Sequence, residues 1–188
     1  PVKLTHTPAG ECVLDFGQNM TGWVEFCCRE KAGSKVRLQY GEVLQEGNFY
    51  RENLRTAKAE MVYIADGQER RVRPHFTFYG FRYVKVTGME QVIPEDFTAC
   101  VLHSDLKRCG SVYTSNEKLN RLFKNTIWGQ RGNFLDVPTD CPQRDERLGW
   151  TGDAQAFCGT ASFHMETAAF YKKYLYDMRL AQRYYQGG

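Results

Sequence analysis

The decisive stretch of this chain reads Val-Pro-Thr-Asp-Cys-Pro-Gln-Arg-Asp-Glu-Arg-Leu-Gly-Trp-Thr-Gly-Asp-Ala and spans residues 137–154. It contains two prolines and two glycines, and its apolar residues follow neither the helical nor the strand period. Such a segment is an irregular loop, and binding and catalytic groups are most often displayed on loops. We therefore treat this segment, the central loop, as the candidate site and the reference for the elements around it.

The side chains of the central loop combine acid, base and aromatic groups. They are Asp140, Asp145, Glu146 and Asp153, with Arg144, Arg147 and Trp150. Carboxyl groups beside an aromatic ring, on a backbone stiffened by proline, are the parts of a site that cleaves sugars. The alternative is a loop of Asp–Arg and Glu–Arg surface pairs, each of which contributes little to stability.

Composition excludes several classes of protein. The chain has 188 residues, of which 42% are apolar and 25% charged, as in an ordinary soluble globular protein of one large or two small domains. Its formal charge of +3 is dispersed, which argues against nucleic-acid binding. No segment approaches the ~18 apolar residues of a membrane helix. No signal sequence is visible, so the compartment stays open between cytoplasm and periplasm.

Histidine and cysteine spacing predicts neither a metal site nor a cofactor. The four histidines are scattered, and none has a partner at the spacing of a His-x-x-x-His ligand pair. The seven cysteines include no Cys-x-x-Cys pair. We therefore expect no metal site, and cysteines that are mostly free, buried thiols.

Residues from about 12 to 103 are predicted to form an antiparallel β-sandwich. The pattern is clearest at Lys35–Tyr40, where Val36, Leu38 and Tyr40 alternate with polar residues. Further strands are predicted at 23–26, 61–64, 76–78 and 81–87, with a turn at 17–22.

One interval of this half has neither period. Residues 47–59 are predicted to be a solvated surface excursion. The alternative is that Tyr50, Arg51 and Asn53 reach over the site of a neighbouring domain.

The second half is predicted to be helical. Thr114-Ser115-Asn116-Glu117 has the form of a capping box, which would start a first helix. Asp153 is predicted to cap a second helix that runs through Phe157. Two apolar stripes support the assignment, namely Leu119, Leu122, Phe123 and Ile127 in the first helix, and Ala168, Tyr171, Leu175 and Met178 in a third helix toward Gln182. Three helices and a long loop do not enclose a core.

Three motifs carry a family resemblance. Residues 15–23, 79–84 and above all 140–153 resemble the bacterial α-L-rhamnosidases of glycoside hydrolase family 78, and the resemblance runs from about Leu14 to Gln182. It implies a multidomain β plus α chain, with an antiparallel β-sandwich domain over residues 1–104. The first helices of an (α/α)6 barrel would follow over residues 105–188, and the remaining barrel helices are not in this sequence.

The resemblance also implies roles for the central loop. Glu146 matches the family's general acid. Asp140 and Asp153 match carboxylates that hold rhamnose hydroxyls, Arg144 and Trp150 are further contacts, and Asp145 is an alternative to Asp140 at the sugar. The expected partner is a rhamnose-containing carbohydrate, cleaved with inversion at the ends of oligosaccharides, polysaccharides or glycosides. The resemblance implies that this reaction needs no cofactor.

Two further expectations follow because the sequence matches only part of the family's fold. The family's general base lies in a late barrel segment that no position here matches, so we expect the chain alone to be inactive. The unpartnered stripe of Leu119, Leu122 and Phe123 predicts self-association. The alternative function is a non-catalytic carbohydrate-binding or scaffold module.

Overall fold

The computed structural model describes residues 1–185, which divide into two compact units. The sheet unit comprises Pro1–Leu102 together with Pro142–Glu146, and the helical unit comprises His103–Cys141 and the residues from Arg147 onward. The predicted helical region extended to Gly188, and its positions 186–188 lie outside the described residues.

The sheet unit is built on antiparallel strands. They are β1 (Lys3–His6), β2 (Cys12–Cys28), β3 (Lys35–Gly41), β4 (Val43–Gln45), β5 (Asn48–Tyr50), β6 (Glu60–Ile64), β7 (Arg70–Val72), β8 (Tyr79–Thr87) and β9 (Phe97–Val101). The main sheet has the order β1-β2-β8-β3-β6, and β7 and β9 pair with the second half of β2. β4 and β5 form a separate hairpin.

The alternation predicted for Lys35–Tyr40 is confirmed by β3. Val36, Leu38 and Tyr40 are all 0% exposed, whereas Arg37 and Gln39 between them are only partly buried. Successive side chains of a strand point to opposite faces, so a one-sided core imposes this period of two.

The turn predicted at residues 17–22 is wrong, because these residues belong to the continuous strand β2. The strand register shifts between Asp15 and Met20, as in a β-bulge, and Gly17 has a φ of 77°. Gly22 has a φ of 153°, and a Cβ there would lie 1.9 Å from the carbonyl oxygen of Cys100 in β9. The glycines therefore allow an irregularity and a close strand contact within β2.

Two other local predictions need correction. Residues 76–78 form no strand, and Phe76 is exposed with a φ of 57°. The interval 47–59 contains regular structure: β5 follows a hairpin turn at Glu46 and Gly47, whose positive φ values of 50° and 79° suit a type I′ turn. A 3-10 turn at Glu52–Leu54 comes next.

Three helices form most of the helical unit: α1 (Glu117–Asn133), α2 (Thr151–His164) and α3 (Ala168–Tyr184). Two short strands, β10 (Phe134–Leu135) and β11 (Val137–Pro138), pair after α1. The core contains Phe134, Ala161 and Phe170, with the Phe134 and Phe170 rings stacked at 4.5 Å. Among residues 1–185, no helix is long and apolar enough to cross a membrane.

The helix caps differ from those predicted. Asn116 caps α1, because its side chain accepts from the Lys118 amide at 2.9 Å, while Thr114 Oγ1 accepts from the Asn116 amide in the turn before the helix. Asp153 lies within the first turn of α2, and Trp150 occupies the N-cap position. A carboxylate in the first turn still interacts favourably with the helix dipole.

The buried face of α3 also differs from the predicted stripe. Phe170 and Tyr174 are buried, whereas Leu175 is 60% exposed. In α1, Ile127 is buried, whereas Leu119 and Leu122, which were expected to lack partners, are 52% and 61% exposed. The sequence period identified the helices correctly, and packing selected a different face of α3.

Candidate active site

The central loop is divided between the two units. Its middle, Pro142–Glu146, belongs to the sheet unit, and its flanks belong to the helical unit. The sheet unit thus contains Arg144, Asp145 and Glu146. The helical unit contains Asp140, Trp150 and Asp153.

Within the sheet unit, the middle of the central loop approaches β8 closely. A Cβ on Gly80 would lie 2.7 Å from Cβ of Gln143. Since real Cβ contacts are longer than 3 Å, only glycine at this position permits the observed packing. The loop is therefore seated against the sheet at Gly80.

Glu146 lies between two arginines. Its Oε2 is 3.0 Å from Nη1 of Arg55 and 3.1 Å from Nη2 of Arg144. Its backbone amide donates to the carbonyl of Arg144 at 2.9 Å. Side chain and backbone are both fixed, so the carboxyl group is held in one orientation within the sheet unit.

Asp145 is bound to a residue of the same unit. Its Oδ2 accepts a hydrogen bond from Thr56 Oγ1 at 2.5 Å. This bond holds the pKa of Asp145 below its ordinary value, since it stabilises the carboxylate. Asp145 is otherwise exposed.

The interval 47–59 thus reaches the central loop, but through residues that sequence reasoning did not name. Arg55 and Thr56 make the contacts, whereas Tyr50, Arg51 and Asn53 were the residues considered. The partners are separated by 91 and 89 positions along the chain. No local sequence pattern predicts a contact between residues so far apart along the chain.

Glu42 is a further carboxyl group missed from the sequence. It follows β3 and accepts from Nδ2 of Asn19 at 2.9 Å and from Nδ2 of Asn53 at 3.4 Å. Burial raises its pKa, while the bond from Asn19 and the charge of Arg144 act in the opposite direction. Arg144 therefore interacts with acidic groups on two sides, Glu42 and Glu146.

In the helical unit, Asp140 is fixed by reciprocal bonds with one residue. Its Oδ1 accepts from the Leu148 amide at 3.0 Å, and its own amide donates to the Leu148 carbonyl at 3.1 Å. Arg147, next to Leu148, has a φ of 51°. These two hydrogen bonds join a residue just before the segment 142–146 to a residue just after it.

Trp150 and Asp153 lie at the start of α2. Trp150 is 48% exposed, so one part of its ring is open to a ligand. The preceding carbonyl, that of Gly149, accepts from Oη of Tyr174 in α3 at 2.7 Å. Asp153 is exposed in the first helical turn.

A cavity of about 370 Å³ within the helical unit brings Asp140 and Asp153 together. Its lining includes Asn133, Thr139, Asp140, Asp153, Phe157 and Tyr171. The volume is in the range of small-molecule sites, and carboxylates, an amide, a hydroxyl and aromatic rings are groups that bind sugars. Burial raises the pKa of Tyr171 to about 12, so its phenol stays protonated. From the sequence, Tyr171 was assigned only to an apolar stripe.

Two family models match the chain. Residues 5–103 match the bacterial α-L-rhamnosidase concanavalin-like domain, and residues 107–188 match the bacterial α-L-rhamnosidase six-hairpin glycosidase domain. The two matches cover the antiparallel sheet-rich part and the three-helix part respectively.

Curated relatives agree with this assignment. An α-L-rhamnosidase of Streptomyces avermitilis is 48% identical over 183 residues, which cover 96% of this chain and 18% of the relative. An α-L-rhamnosidase of Alteromonas sp. strain LOR is 38% identical over 186 residues, 97% of this chain and 20% of the relative. The chain therefore spans about a fifth of the length of these relatives.

Solved structures show the same similarity. The native α-L-rhamnosidase of Aspergillus terreus has a TM-score of 0.93 and 41% identity, over 96% of this chain and 21% of that chain. The Streptomyces avermitilis α-L-rhamnosidase complexed with L-rhamnose has a TM-score of 0.92 and 47% identity, over 96% and 18%. The predicted fold class, an antiparallel β-rich part followed by the first helices of a helical glycosidase domain, is thereby confirmed.

Proposed function

Because this chain belongs to the bacterial α-L-rhamnosidase family, we propose that it carries part of the active site of an inverting glycosidase. The substrate is a terminal α-L-rhamnosyl residue of an oligosaccharide, polysaccharide or glycoside. The cavity that brings Asp140 and Asp153 together supports a sugar ligand, and a relative has been solved with L-rhamnose bound. No cofactor enters the proposed reaction.

Glu146 is the proposed general acid. The observation that carries this role is the fixed orientation of its carboxyl group by Arg55 and Arg144. A proton donor must be held within hydrogen-bond reach of the leaving oxygen, so orientation is the first requirement. The proton passes from Glu146 to the glycosidic oxygen, which takes the electron pair of the breaking carbon–oxygen bond.

Asp140 and Asp153 are the proposed contacts to rhamnose hydroxyls. Both line the cavity of the helical unit, and Asp140 is held there by its bonds with Leu148. A hydroxyl that donates to a carboxylate forms a charge-assisted bond, roughly twice as strong as a neutral one. Arg144 and Trp150 are further contacts, and Asp145 remains the alternative to Asp140.

Inversion requires a second carboxylate, which activates a water on the opposite face of the sugar at ~6.5–9.5 Å from the acid. We assign this base to no residue of the sequence. We therefore expect residues 1–188 alone to release no aryl leaving group from an aryl α-L-rhamnoside.

The proposed domain division lies between residues 104 and 105. It is supported by the family matches, which end at residue 103 and begin again at residue 107. The sheet unit also contains residues 142–146. At the central loop, the two compact units therefore do not follow the proposed boundary between residues 104 and 105.

Replacement of Glu146 by Gln tests the proposal in a full-length α-L-rhamnosidase that carries this sequence. We expect hydrolysis of a rhamnosyl disaccharide to fall by at least about a hundredfold, because the amide cannot donate the required proton. Binding of L-rhamnose should persist. Glu90→Gln is the matched control, since Glu90 is an exposed carboxylate paired with Lys31.

Undiminished disaccharide hydrolysis by Glu146→Gln would exclude this residue as the acid. A non-catalytic carbohydrate-binding module, the alternative function, gives a different result. The unsubstituted full-length protein would then bind rhamnosides without hydrolysing them, and Glu146→Gln would change binding or nothing.

A further inference from the structure

Backbone hydrogen bonds in the segment after β5 orient two polar side chains, those of Arg55 and Thr56. Leu54 is 1% exposed, and its amide donates to the Arg51 carbonyl at 3.0 Å. The Ala57 amide donates in turn to the Leu54 carbonyl at 3.1 Å. Arg55 lies between these bonds with a φ of 56°, so a buried anchor and two backbone bonds define where Arg55 and Thr56 project.

We propose that Arg55 is a positioning residue for Glu146, and that Thr56 supports the same loop through Asp145. This inference rests on the proposed role of Glu146 as general acid. It assigns a part in the reaction to the sheet unit, which carries both Arg55 and Glu146.

The two arginines share one carboxylate oxygen of Glu146. Arg55 and Arg144 both contact Oε2 of Glu146, at 3.0 and 3.1 Å. An oxygen that accepts from two cationic donors is a poor place for a proton, so the proton that Glu146 transfers lies on Oε1. Arg55 and Arg144 thereby act together to favour Oε1 as the oxygen that donates.

The contacts of Arg55 and Arg144 with Glu146 also favour the proton transfer. When the proton moves from Oε1 to the leaving oxygen, the carboxyl group becomes negative. Two guanidinium groups already in place stabilise that charge as it develops, without rearrangement. Arg144 acts on Glu42 as well as Glu146, and the charge of Arg55 acts on Asp145 as well as Glu146.

Thr56 and Gly80 fix the loop on either side of this pair. Thr56 binds Asp145, and Gly80 allows Gln143 to pack against β8. Residues 143, 145 and 146 are therefore each held by a separate part of the sheet unit. These three contacts hold the loop in place, so Glu146 stays within reach of Arg55.

The test uses a full-length α-L-rhamnosidase that carries residues 1–188, with Arg55→Gln and Arg55→Lys. Each variant is assayed on nitrophenyl α-L-rhamnoside, whose leaving group needs little protonation, and on a rhamnosyl disaccharide, whose leaving group needs a proton. For Arg55→Gln we expect kcat/KM on the disaccharide to fall at least about tenfold. On the nitrophenyl substrate it should change little, and Arg55→Lys should recover part of the loss.

Arg29→Gln is the matched control. The Arg29 side chain is 50% exposed and pairs with Asp96 and Glu69, whereas that of Arg55 is 52% exposed and pairs with Glu146. The control removes two ion pairs of the sheet unit, made by an arginine of similar exposure. We expect it to leave kcat/KM unchanged on both substrates.

Equal losses on the two substrates, or no loss on either, would overturn the inference. Glu146→Gln, assayed in parallel, separates this failure from failure of the proposed function. If Glu146→Gln discriminates between the leaving groups and Arg55→Gln does not, only the role of Arg55 is wrong. If Arg55→Gln does not fold, Arg55→Lys and Thr56→Val decide, and full disaccharide activity in both would refute the proposal.

Discussion

Asp15 and Arg82 form a two-point ion pair beside the irregularity in β2. Arg82 donates through Nε and Nη2 to the two carboxylate oxygens of Asp15, at 2.8 and 2.9 Å. The bond from Arg82 holds the pKa of Asp15 below its ordinary value of 3.8. The stabilisation is therefore complete above that pH and is lost as the pH falls through the lower, folded-state value.

Replacement of Arg82 by Gln should consequently lower the free energy of unfolding by about 1 kcal/mol near neutral pH, where the pair is partly screened by solvent. The difference from the unsubstituted chain should shrink when urea unfolding is repeated at an acidic pH below 3.8. Lys31→Gln, which breaks the more exposed pair with Glu90, should cost less than about 0.5 kcal/mol. A difference for Arg82→Gln that is constant with pH would contradict this account.

At the scale of the elements, a buried polar pair joins α1 to α2. Nδ1 of His164 lies 3.0 Å from Oε1 of Gln130, whose Nε2 donates to the Ala161 carbonyl at 3.2 Å. Burial lowers the pKa of His164 from its ordinary 6.5, and the charge of Arg108 adds to this. The neutral ring is the form that suits the folded helices.

The helical unit should therefore lose stability on mild acidification. The contribution of His164 is complete above its ordinary pKa of 6.5 and is lost as the pH falls below that value toward the folded-state pKa. His164→Gln should abolish this part of the pH dependence, as measured by circular dichroism during urea unfolding on both sides of pH 6.5. The same slope in both proteins would show that another group titrates.

The sequence predicted elements well where one rule dominated. Lys35–Tyr40 alternates because one face of β3 is buried. The segment 17–22 was misread because glycines favour turns, and here they permit a bulge and the contact with Cys100 inside β2. The start of α1 was placed correctly, but Asn116, not Thr114, makes the cap. Short-range polar bonds of similar energy compete at such positions.

The candidate site likewise contains some residues that the sequence could point to and others that it could not. Asp140, Glu146 and Asp153 could be proposed from the sequence because they stand within one short motif. Arg55, Thr56 and Glu42 were missed because their partners are distant in sequence, and the chain offers no period or motif that links them. The roles assigned to the acids of the loop remain proposals until they are tested by substitution.

For the molecule as a whole, the exposed apolar side chains of the helices predict self-association. Those more than 50% exposed on α1 to α3 are Leu119, Leu122, Phe163, Leu175, Tyr176 and Tyr184. Exposed apolar surface of this kind promotes association in water. We expect residues 1–188 to elute in size-exclusion chromatography with light scattering as a concentration-dependent oligomer.

The double substitution Leu122→Lys and Leu175→Lys should shift this equilibrium toward the monomer. Lys124→Gln, also on the exposed surface of α1, should leave it unchanged. A monomer at every concentration for the unsubstituted chain would refute the expectation.

The assignment of residues 142–146 to the sheet unit bears on how such proteins recombine. A genetic crossover between residues 104 and 105 would join the Arg55 and Thr56 segment of one parent to the Asp145 and Glu146 loop of another. Parents that differ at these two places should yield hybrids with lower activity on substrates whose leaving group needs a proton. Positions 55, 56 and 80 should therefore vary together with positions 143, 145 and 146 among related sequences, although the proposed boundary between residues 104 and 105 lies between the two groups.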